Sequence, residues 1–295
     1  MDYRDEVFLS VAENLSFSKA AEALFISQPA VTRHIRELEN KLNMALFERK
    51  GNKIYLTKAG KLCYRQLKQI KEHYRELEFE LGRMNDTFIG SLRIGASSTI
   101  AQYLIPGVLA AFHRRYPQIR LDLLNGNSLE MEQKLLNNEI DLALVENDSS
   151  QANIRYIDFL DDEIVPVTAA DSFYAKHKNL SITDLQQIPL ILREPGSGTL
   201  EVILYELARQ QIDPEKLNIV LHMGSTEAIK NFLPDFDGIA FVSEKAIAKE
   251  LQLKTILKIA VKDLQINRKF RLALRQGPTM NIPELFRNFL FDYNF

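Results

Sequence analysis

The chain has 295 residues, of which 46% are hydrophobic and 26% charged, a composition typical of a folded protein with two or three domains. The single cysteine, Cys63, excludes an internal disulfide framework and predicts a reducing compartment. The first six residues are too acidic for a signal peptide, and no apolar run reaches about 18 residues. The five histidines are scattered, without metal-ligand spacing. We therefore expect a cytoplasmic protein without a membrane segment, metal or cofactor.

The net charge of −2 is unevenly distributed along the chain. Residues 1–27 carry a net charge of −3, whereas residues 28–61 hold eight lysines and arginines against three glutamates. The positive charge therefore lies in one segment, as binding to a phosphate backbone would require.

The first 42 residues predict three short helices. Val7, Phe8, Val11 and Ala12 give the first helix an apolar face. Ser18 is a candidate cap for a second helix over residues 19–24, and residues 25–26 would form a tight turn.

The third helix has the clearest start. Ser27 can accept a hydrogen bond from a first-turn amide, and Pro29 gives up an amide that would have no helical partner. Apolar residues then recur at steps of four, three and four, at Val31, Ile35, Leu38 and Leu42. This spacing is typical of a helix-turn-helix unit.

Polar residues of the third helix lie away from its apolar face. They are Gln28, Thr32, Arg33 and Arg36. Gln and Arg side chains can read adenine and guanine edges bidentately, so this face suits the major groove of DNA. An ordinary surface helix with a polar outer face has the same pattern.

Residues 46–56 predict two short strands around a Gly51-Asn52 turn. The tip carries Arg49, Lys50 and Lys53, which suits a wing lying along DNA phosphates. A solvated turn is the alternative, but the preceding helix-turn-helix favours a wing.

Thr57 can cap a long helix with a heptad seam. Its apolar residues recur at alternating steps of four and three, at Cys63, Leu67, Ile70, Tyr74, Leu77, Leu81, Met84 and Phe88. The seam predicts a partner helix from a second copy of the chain, the alternative being a helix packed on its own domain.

From Gly90 onward, predicted strands alternate with helices, which argues for doubly wound parallel sheets. The strands are expected at residues 92–96, 119–124, 142–145, 164–167, 190–192, 219–221, 238–242 and 270–274. Helices are expected at 98–115, 129–137, after Gly198, at 226–232 and at 283–291. Two lobes joined by two crossings would form a cleft.

Three predicted strands end at helix starts rich in hydroxyl groups. These starts are Ser97-Ser98-Thr99, Gly196-Ser197-Gly198-Thr199 and Gly224-Ser225-Thr226. Helix N-termini and hydroxyls together suit a small carboxylate or inorganic anion, although each start alone is also explained by capping. No lysine follows the glycines as a nucleotide-binding loop would require.

The whole chain resembles the LysR-type transcriptional regulators. The resemblance is most specific in the order and spacing of residues 17–24, 27–32, 35–39 and 46–49. It implies a winged helix, a dimerising linker helix and an effector domain like the periplasmic binding proteins. Residues 193–199 are similar to an effector-pocket loop in which the next residue is often Arg, whereas this chain has Leu200.

The resemblance implies three domains in an α/β architecture. A winged helix-turn-helix would cover residues 1–58, a linker helix 59–88 and a two-lobed effector domain 89–295. Lobe 1 would cover about 89–162 and 268–295, and lobe 2 about 163–267. The expected partners are promoter DNA, a small-molecule effector, further copies in a homodimer or homotetramer, and RNA polymerase.

The expected site residues fall into three groups. For DNA they are Ser18, Ser27, Gln28, Pro29, Thr32, Arg33, Arg36, Arg49, Lys50 and Lys53. For the effector they are Ser97, Ser98, Thr99, Glu146, Gly196, Ser197, Gly198, Thr199, Ser225 and Thr226. For dimerisation they are Leu67, Ile70, Tyr74, Leu77, Leu81 and Met84.

The main hypothesis is therefore a transcription regulator in which the effector changes lobe closure and shifts an equilibrium between oligomer arrangements. A solute-binding protein is the second hypothesis, and the basic N-terminal segment argues against it. An enzyme with Ser98 or Thr199 as nucleophile is the third. No serine lies in a GxSxG elbow and no histidine is placed as a base, so we expect no enzymatic activity.

Overall fold

The computed structural model describes residues 2–51, 53–84, 88–148, 150–176, 180–277 and 281–295. The chain divides into two compact units, Met1–Thr87 and Phe88–Phe295. Each unit has its own apolar core, so each is described by itself.

The N-terminal unit is a three-helix bundle followed by a two-stranded hairpin and a long helix, as predicted. A capping box starts its first helix, in which Asp2 accepts a hydrogen bond from the Arg4 amide at 3.1 Å. Its core joins the first three helices to the start of the fourth, and includes Val7, Phe8, Val31 and Leu46. The elements are α1 (Tyr3–Asn14), α2 (Phe17–Ala23), α3 (Gln28–Leu42), β1 (Phe47–Lys50), β2 (Lys53–Leu56) and α4 (Lys58–Met84).

Three details of this unit differ from the sequence-based expectation. Ser16, and not Ser18, caps α2, because its hydroxyl accepts a hydrogen bond from the Lys19 amide at 3.3 Å. Leu42 is 45% exposed, since α3 ends there and the chain turns away in the left-handed conformation of Asn43. The long helix ends at Met84, and Phe88 instead lies 5.3 Å from the Tyr116 ring.

The C-terminal unit alternates strands and helices, and most bounds lie within two residues of those predicted. In chain order the elements are β3 (Gly90–Ser97), a π turn (Ile100–Leu104), α5 (Ile105–Arg115), β4 (Ile119–Gly126), α6 (Ser128–Leu136), β5 (Leu142–Val145), β6 (Ile154–Ala169), β7 (Leu190–Arg193), α7 (Gly198–Arg209), β8 (Ile219–Met223), α8 (Thr226–Phe232), β9 (Ile239–Ser243), α9 (Ala248–Leu253), β10 (Ile256–Lys258), β11 (Ile266–Arg275) and α10 (Ile282–Phe291).

Nine strands of the described residues form one mixed sheet, in the order β4-β3-β5-β11-β6-β9-β7-β8 with β10 paired to β6. The expectation of wholly parallel strands is wrong for β6 and β11, which pair antiparallel to each other and to their neighbours. The three-strand groups β3–β5 and β7–β9 are each parallel. We call the half of the unit around β3–β5 lobe 1 and the half around β7–β9 lobe 2, and their boundaries along the chain stay a prediction.

Both long strands, β6 and β11, run from one lobe to the other. Their register places Asp162 opposite Arg268 and Ile164 opposite Ile266. The isoleucines belong to the apolar core under α7, whereas Asp162 and Arg268 lie beyond it toward the carboxyl ends of the parallel strands. The sheet therefore carries an opposed acid and base into the region between the lobes.

Candidate DNA interface and effector site

Helix α3 has one buried face and one exposed polar face. The Ser27 hydroxyl caps it by accepting a hydrogen bond from the Ala30 amide at 3.3 Å. Val31, Ile35 and Leu38 are buried in the core. Ser27 and Pro29 are exposed at the start of this helix, beside its polar face.

The polar face of α3 is exposed and partly ordered by its own side chains. The side-chain amide of Gln28 donates a hydrogen bond to the Thr32 hydroxyl at 2.9 Å, and that hydroxyl donates to the backbone carbonyl of Gln28 at 3.1 Å. Arg33 and Arg36 are exposed, and the Arg33 Nε lies 3.9 Å from a Glu37 carboxylate oxygen. Hydrogen-bonding groups of the kinds that read base edges therefore stand side by side on one helix.

The β1–β2 hairpin places its basic residues beside α3. A Glu39 carboxylate oxygen accepts the Leu46 amide at 2.7 Å, which ties the start of the hairpin to α3. Arg49 lines the same concave surface as Arg36. Lys50 and Lys53 are exposed and opposite each other next to the turn, in which Asn52 lies outside the described residues. Ser18 is exposed on α2.

The heptad seam of α4 divides into a buried start and an exposed remainder. Leu67 is 9% exposed because it packs in the core of the N-terminal unit. The next seam residues are 42–53% exposed, and they are Ile70, Tyr74, Leu77 and Leu81. The side chain of Met84 lies outside the described residues. Four consecutive seam residues therefore present an apolar stripe on the helix surface.

In the C-terminal unit, the sequence-predicted effector residues collect where strands end and helices begin. Seven of their side chains are at most 2% exposed, and they are Ser97, Ser98, Thr99, Glu146, Ser197, Thr199 and Thr226. The Ser225 hydroxyl, in contrast, already has a partner, because it caps α8 by accepting a hydrogen bond from the Ala228 amide at 3.1 Å. Of the predicted set, Glu146 of lobe 1 and Gly198 and Thr199 of lobe 2 are thus brought together.

Two glycines allow lobe 2 to approach lobe 1 closely. A Cβ atom on Gly198 would lie 2.6 Å from the Asn147 amide nitrogen and 2.8 Å from the Glu146 carbonyl carbon. Gly196 has a φ of +88°, which L-residues rarely adopt, and its carbonyl accepts the Leu129 amide at 3.3 Å. These glycines let the α7 N-terminus sit directly against the end of β5.

A buried hydrogen-bonded network crosses between the lobes. The Thr199 hydroxyl donates to Glu146 at 2.8 Å and accepts from Arg268 Nη1 at 2.8 Å. Arg268 Nε donates to Asp162 at 2.7 Å, and the Ser243 hydroxyl donates to the other oxygen of Asp162 at 2.7 Å. Arg268 and Asp162 were not predicted as site residues, because their partners lie far apart in the chain. The Thr199 hydroxyl proton is already donated to Glu146, so Thr199 links the lobes and has no free donor for an anion.

Glu146 is ionised in this network. Burial alone would raise its pKa, but Arg268 and Arg193 together with the Thr199 hydroxyl outweigh that effect, and the net pKa is lowered. The Nη1 atom of Arg268 lies 3.3 Å from the carboxylate oxygen of Glu146 that Thr199 does not contact. Glu146 therefore holds a charge that stabilises Arg268 inside the domain.

Several buried donors have no hydrogen-bond partner among the described residues. They are the hydroxyls of Ser98, Thr99 and Ser197, together with Arg193 Nη1 and Arg268 Nη2. Arg193 is 1% exposed, and its Nε and Nη2 are held by Glu194 at 2.8 and 3.0 Å. Unpaired buried donors are costly and mark positions where another molecule is expected.

Arg193 supplies a positive charge at this site, although it was not among the expected effector residues. Leu200, which stands where the similar family loop often has Arg, is 7% exposed in the core under α7. The sequence signal for Arg193 was its position at the end of a buried strand, directly before the glycine-rich loop.

Two family models match the chain. The model described as "Bacterial regulatory helix-turn-helix protein, lysR family" matches residues 5–61, and the "LysR substrate binding domain" model matches residues 85–292. The chain belongs to the LysR family. It is a DNA-binding transcriptional regulator with an effector-binding domain, and not an enzyme. LysR-type regulators bind promoter DNA and small-molecule effectors, and they are oligomeric.

Curated relatives of this LysR-type regulator align over most of its length. The probable RuBisCO transcriptional regulator of Thalassiosira pseudonana is 33% identical over 292 residues, which cover 97% of this chain and 93% of that protein. The HTH-type transcriptional regulator CysL of Bacillus subtilis is 30% identical over 276 residues, or 93% of this chain and 90% of CysL.

Solved structures give the same fold. The regulatory domain of Synechocystis PCC6803 CcmR, in complex with 2-PG, is 28% identical with a TM-score of 0.62, covering 69% of this chain and 96% of that one. Full-length CbnR complexed with its target DNA is 19% identical with a TM-score of 0.67, covering 98% of each chain. The latter likeness concerns the fold alone. No helix in the described parts of this regulator is long and apolar enough to span a membrane.

Proposed function

We propose that this LysR-type regulator acts in the cytoplasm and responds to a small anion, such as a carboxylate, held between the two lobes. The observation that carries the proposal is the set of buried, unpaired donors around Arg193. Three hydroxyls and two guanidinium nitrogens have no hydrogen-bond partner among the described residues there, and the hydroxyls lie at the starts of helices, where backbone amides also favour an anion.

The charges around the site favour an effector with little negative charge beyond one anionic group. Glu194 already pairs with Arg193, whereas Asp162 and Glu146 share Arg268. Carboxylates in this set therefore outnumber guanidiniums by one. A single anionic group reaching Arg193 Nη1 and the hydroxyls of Ser98 and Ser197 adds the least negative charge to a set that already carries an excess carboxylate.

At the other end of the chain, we propose that Gln28, Thr32, Arg33 and Arg36 read bases while Arg49, Lys50 and Lys53 contact phosphates. Ser18, Ser27 and Pro29 would lie against the DNA beside them. Effector binding would change lobe closure and shift the equilibrium between oligomer arrangements, which alters the spacing of two DNA-binding units.

The effector proposal is tested by calorimetric titration of the full-length protein with 2-PG, inorganic phosphate, short carboxylates and the uncharged amides of those carboxylates. We expect at least one anion to bind and its amide to bind much more weakly. Ser98→Ala and Ser197→Ala should each lower the affinity about tenfold, the value of a hydrogen bond to a charged group.

The matched control is Ser225→Ala, because its hydroxyl caps α8 and is not free. It should lower thermal stability, since a lost cap costs about 1 kcal/mol, and leave the affinity unchanged. Equal binding of an anion and its amide, or binding of no anion at all, would show the proposed effector class to be wrong.

A further inference from the structure

A tyrosine of lobe 1 is bonded to a helix of lobe 2 next to the effector site. Tyr103 lies in the π turn, and its hydroxyl donates a hydrogen bond to a Glu227 carboxylate oxygen on α8. The Lys230 ammonium lies 4.8 Å from the centre of the Tyr103 ring and 3.4 Å from its hydroxyl oxygen. One tyrosine therefore meets both a carboxylate and a cation across the two lobes.

The lobe 2 side of this contact is held firmly. Lys230 is 10% exposed and lies 2.9 Å from Glu227 and 2.8 Å from Glu250. It also donates to the Ala246 carbonyl at 3.0 Å. Lys230 thus ties α8 to the following helix, so Tyr103 docks against a preassembled group of charges.

The lobe 1 side is a helical turn whose hydrogen bonds depart from the α-helical pattern. Pro106 has no amide and cannot bond the Gln102 carbonyl, and the Ile105 amide instead reaches the Ile100 carbonyl across a π turn. Returning the turn to α-helical register would rotate Tyr103 by about 100° around the helix axis. That rotation would take its hydroxyl away from Glu227.

Both elements start at the effector site. The helix that contains Tyr103 starts at Ser98, and Glu227 directly follows Thr226. If ligand binding shifts Ser98 or Thr226, it therefore also moves the helix that contains Tyr103 or α8, the two elements that the Tyr103–Glu227 hydrogen bond joins.

We propose that Tyr103, Glu227 and Lys230 form an interlobe clasp that positions lobe 2 over the site and sets how long an effector stays bound. The three are positioning residues, and their role in effector residence rests on the site proposed above. Burial and the bond to Glu227 raise the pKa of Tyr103, which keeps its hydroxyl protonated as the donor.

Amide hydrogen exchange of the ligand-free, full-length protein tests the clasp without any effector. Tyr103→Phe should make the amides of residues 226–232 in lobe 2 exchange about tenfold faster, the value of a hydrogen bond to a charged group. Glu227→Gln keeps an acceptor for Tyr103 but loses the charge near Lys230, and should have a smaller effect. The control is Tyr205→Phe, whose side chain is 66% exposed on α7 and should change nothing.

Three results would overturn the clasp. They are unchanged exchange in residues 226–232, faster exchange confined to the π turn, and equally faster exchange throughout the C-terminal unit, which would indicate a general loss of stability. The anion that binds wild type most tightly, taken from the titration above, should also dissociate about tenfold faster from Tyr103→Phe with an unchanged association rate. Failure of every anion to bind wild type would overturn the effector proposal, while the exchange result would still decide the clasp.

Discussion

At the scale of single residues, Arg36 is the side chain that most directly tests the DNA assignment. It is exposed on α3 and lines two shallow concave surfaces shared with Arg49 of the hairpin. Arg33 lies on the same helix near Glu37, whose carboxylate offsets part of its charge. A side chain placed between helix and wing can reach a base edge while the wing holds the phosphates.

Arg36→Ala should weaken binding to the preferred DNA by about 1–3 kcal/mol and have little effect on unrelated DNA. Fluorescence anisotropy on a sequence selected in vitro by the wild-type protein measures both. Lys50→Ala should instead weaken binding to both DNAs, and the slope of log affinity against log salt concentration should become smaller by about one. Arg120→Ala, which removes an exposed arginine of the C-terminal unit, is the control. Wild-type affinity in Arg36→Ala and Arg33→Ala alike would contradict the placement of α3 in the groove.

At the scale of elements, the turn between α2 and α3 stores strain. Phe25 has a φ of +54° and is 96% exposed, so the folded state holds a bulky residue in the left-handed region without packing its ring. Left-handed backbone costs L-residues about 1–2 kcal/mol, and asparagine tolerates it best after glycine.

Phe25→Asn should therefore stabilise the N-terminal unit by about 0.5–1 kcal/mol. Slower amide exchange in α2 and α3 of the full-length protein would measure the gain. Phe173→Asn is a suitable control, because Phe173 is also well exposed, at 62%, but is not among the described residues with positive φ. Faster exchange in Phe25→Asn would mean that the ring makes a stabilising contact in the folded protein.

The elements that the sequence predicted correctly are those with a local signal. Residues 142–145 and 226–232 were predicted to the residue, because one is a short buried apolar run and the other follows a serine cap. The first half of β6, residues 154–163, was missed because its charged residues are unevenly spaced and interrupt any period-2 apolar pattern. The partners of Asp162 are 81 and 106 residues away, so neither periodicity nor capping could reveal the network.

At the scale of the whole molecule, the exposed part of the α4 seam bears on assembly. Ile70, Tyr74, Leu77 and Leu81 follow one another at heptad steps and are 42–53% exposed. Leu67, one step earlier, is already buried in the N-terminal core. The seam therefore packs in its own unit at one end, and we propose that the exposed stripe beyond it packs against the α4 of a second copy.

Leu77→Asp combined with Leu81→Asp should convert the oligomer to smaller species, because charges at seam positions cannot be buried between two helices. Sedimentation equilibrium of the full-length protein measures the assembly state, with Gln66→Glu as a control on the exposed surface of the same helix.

Separating the copies should also weaken DNA binding about 100-fold, since the second DNA-binding unit loses the effective concentration that its partner provides. An unchanged oligomer mass in the Leu77→Asp and Leu81→Asp double variant would mean that the copies contact each other through another surface. An unchanged DNA affinity in a dissociated variant would show that one winged helix is sufficient for binding.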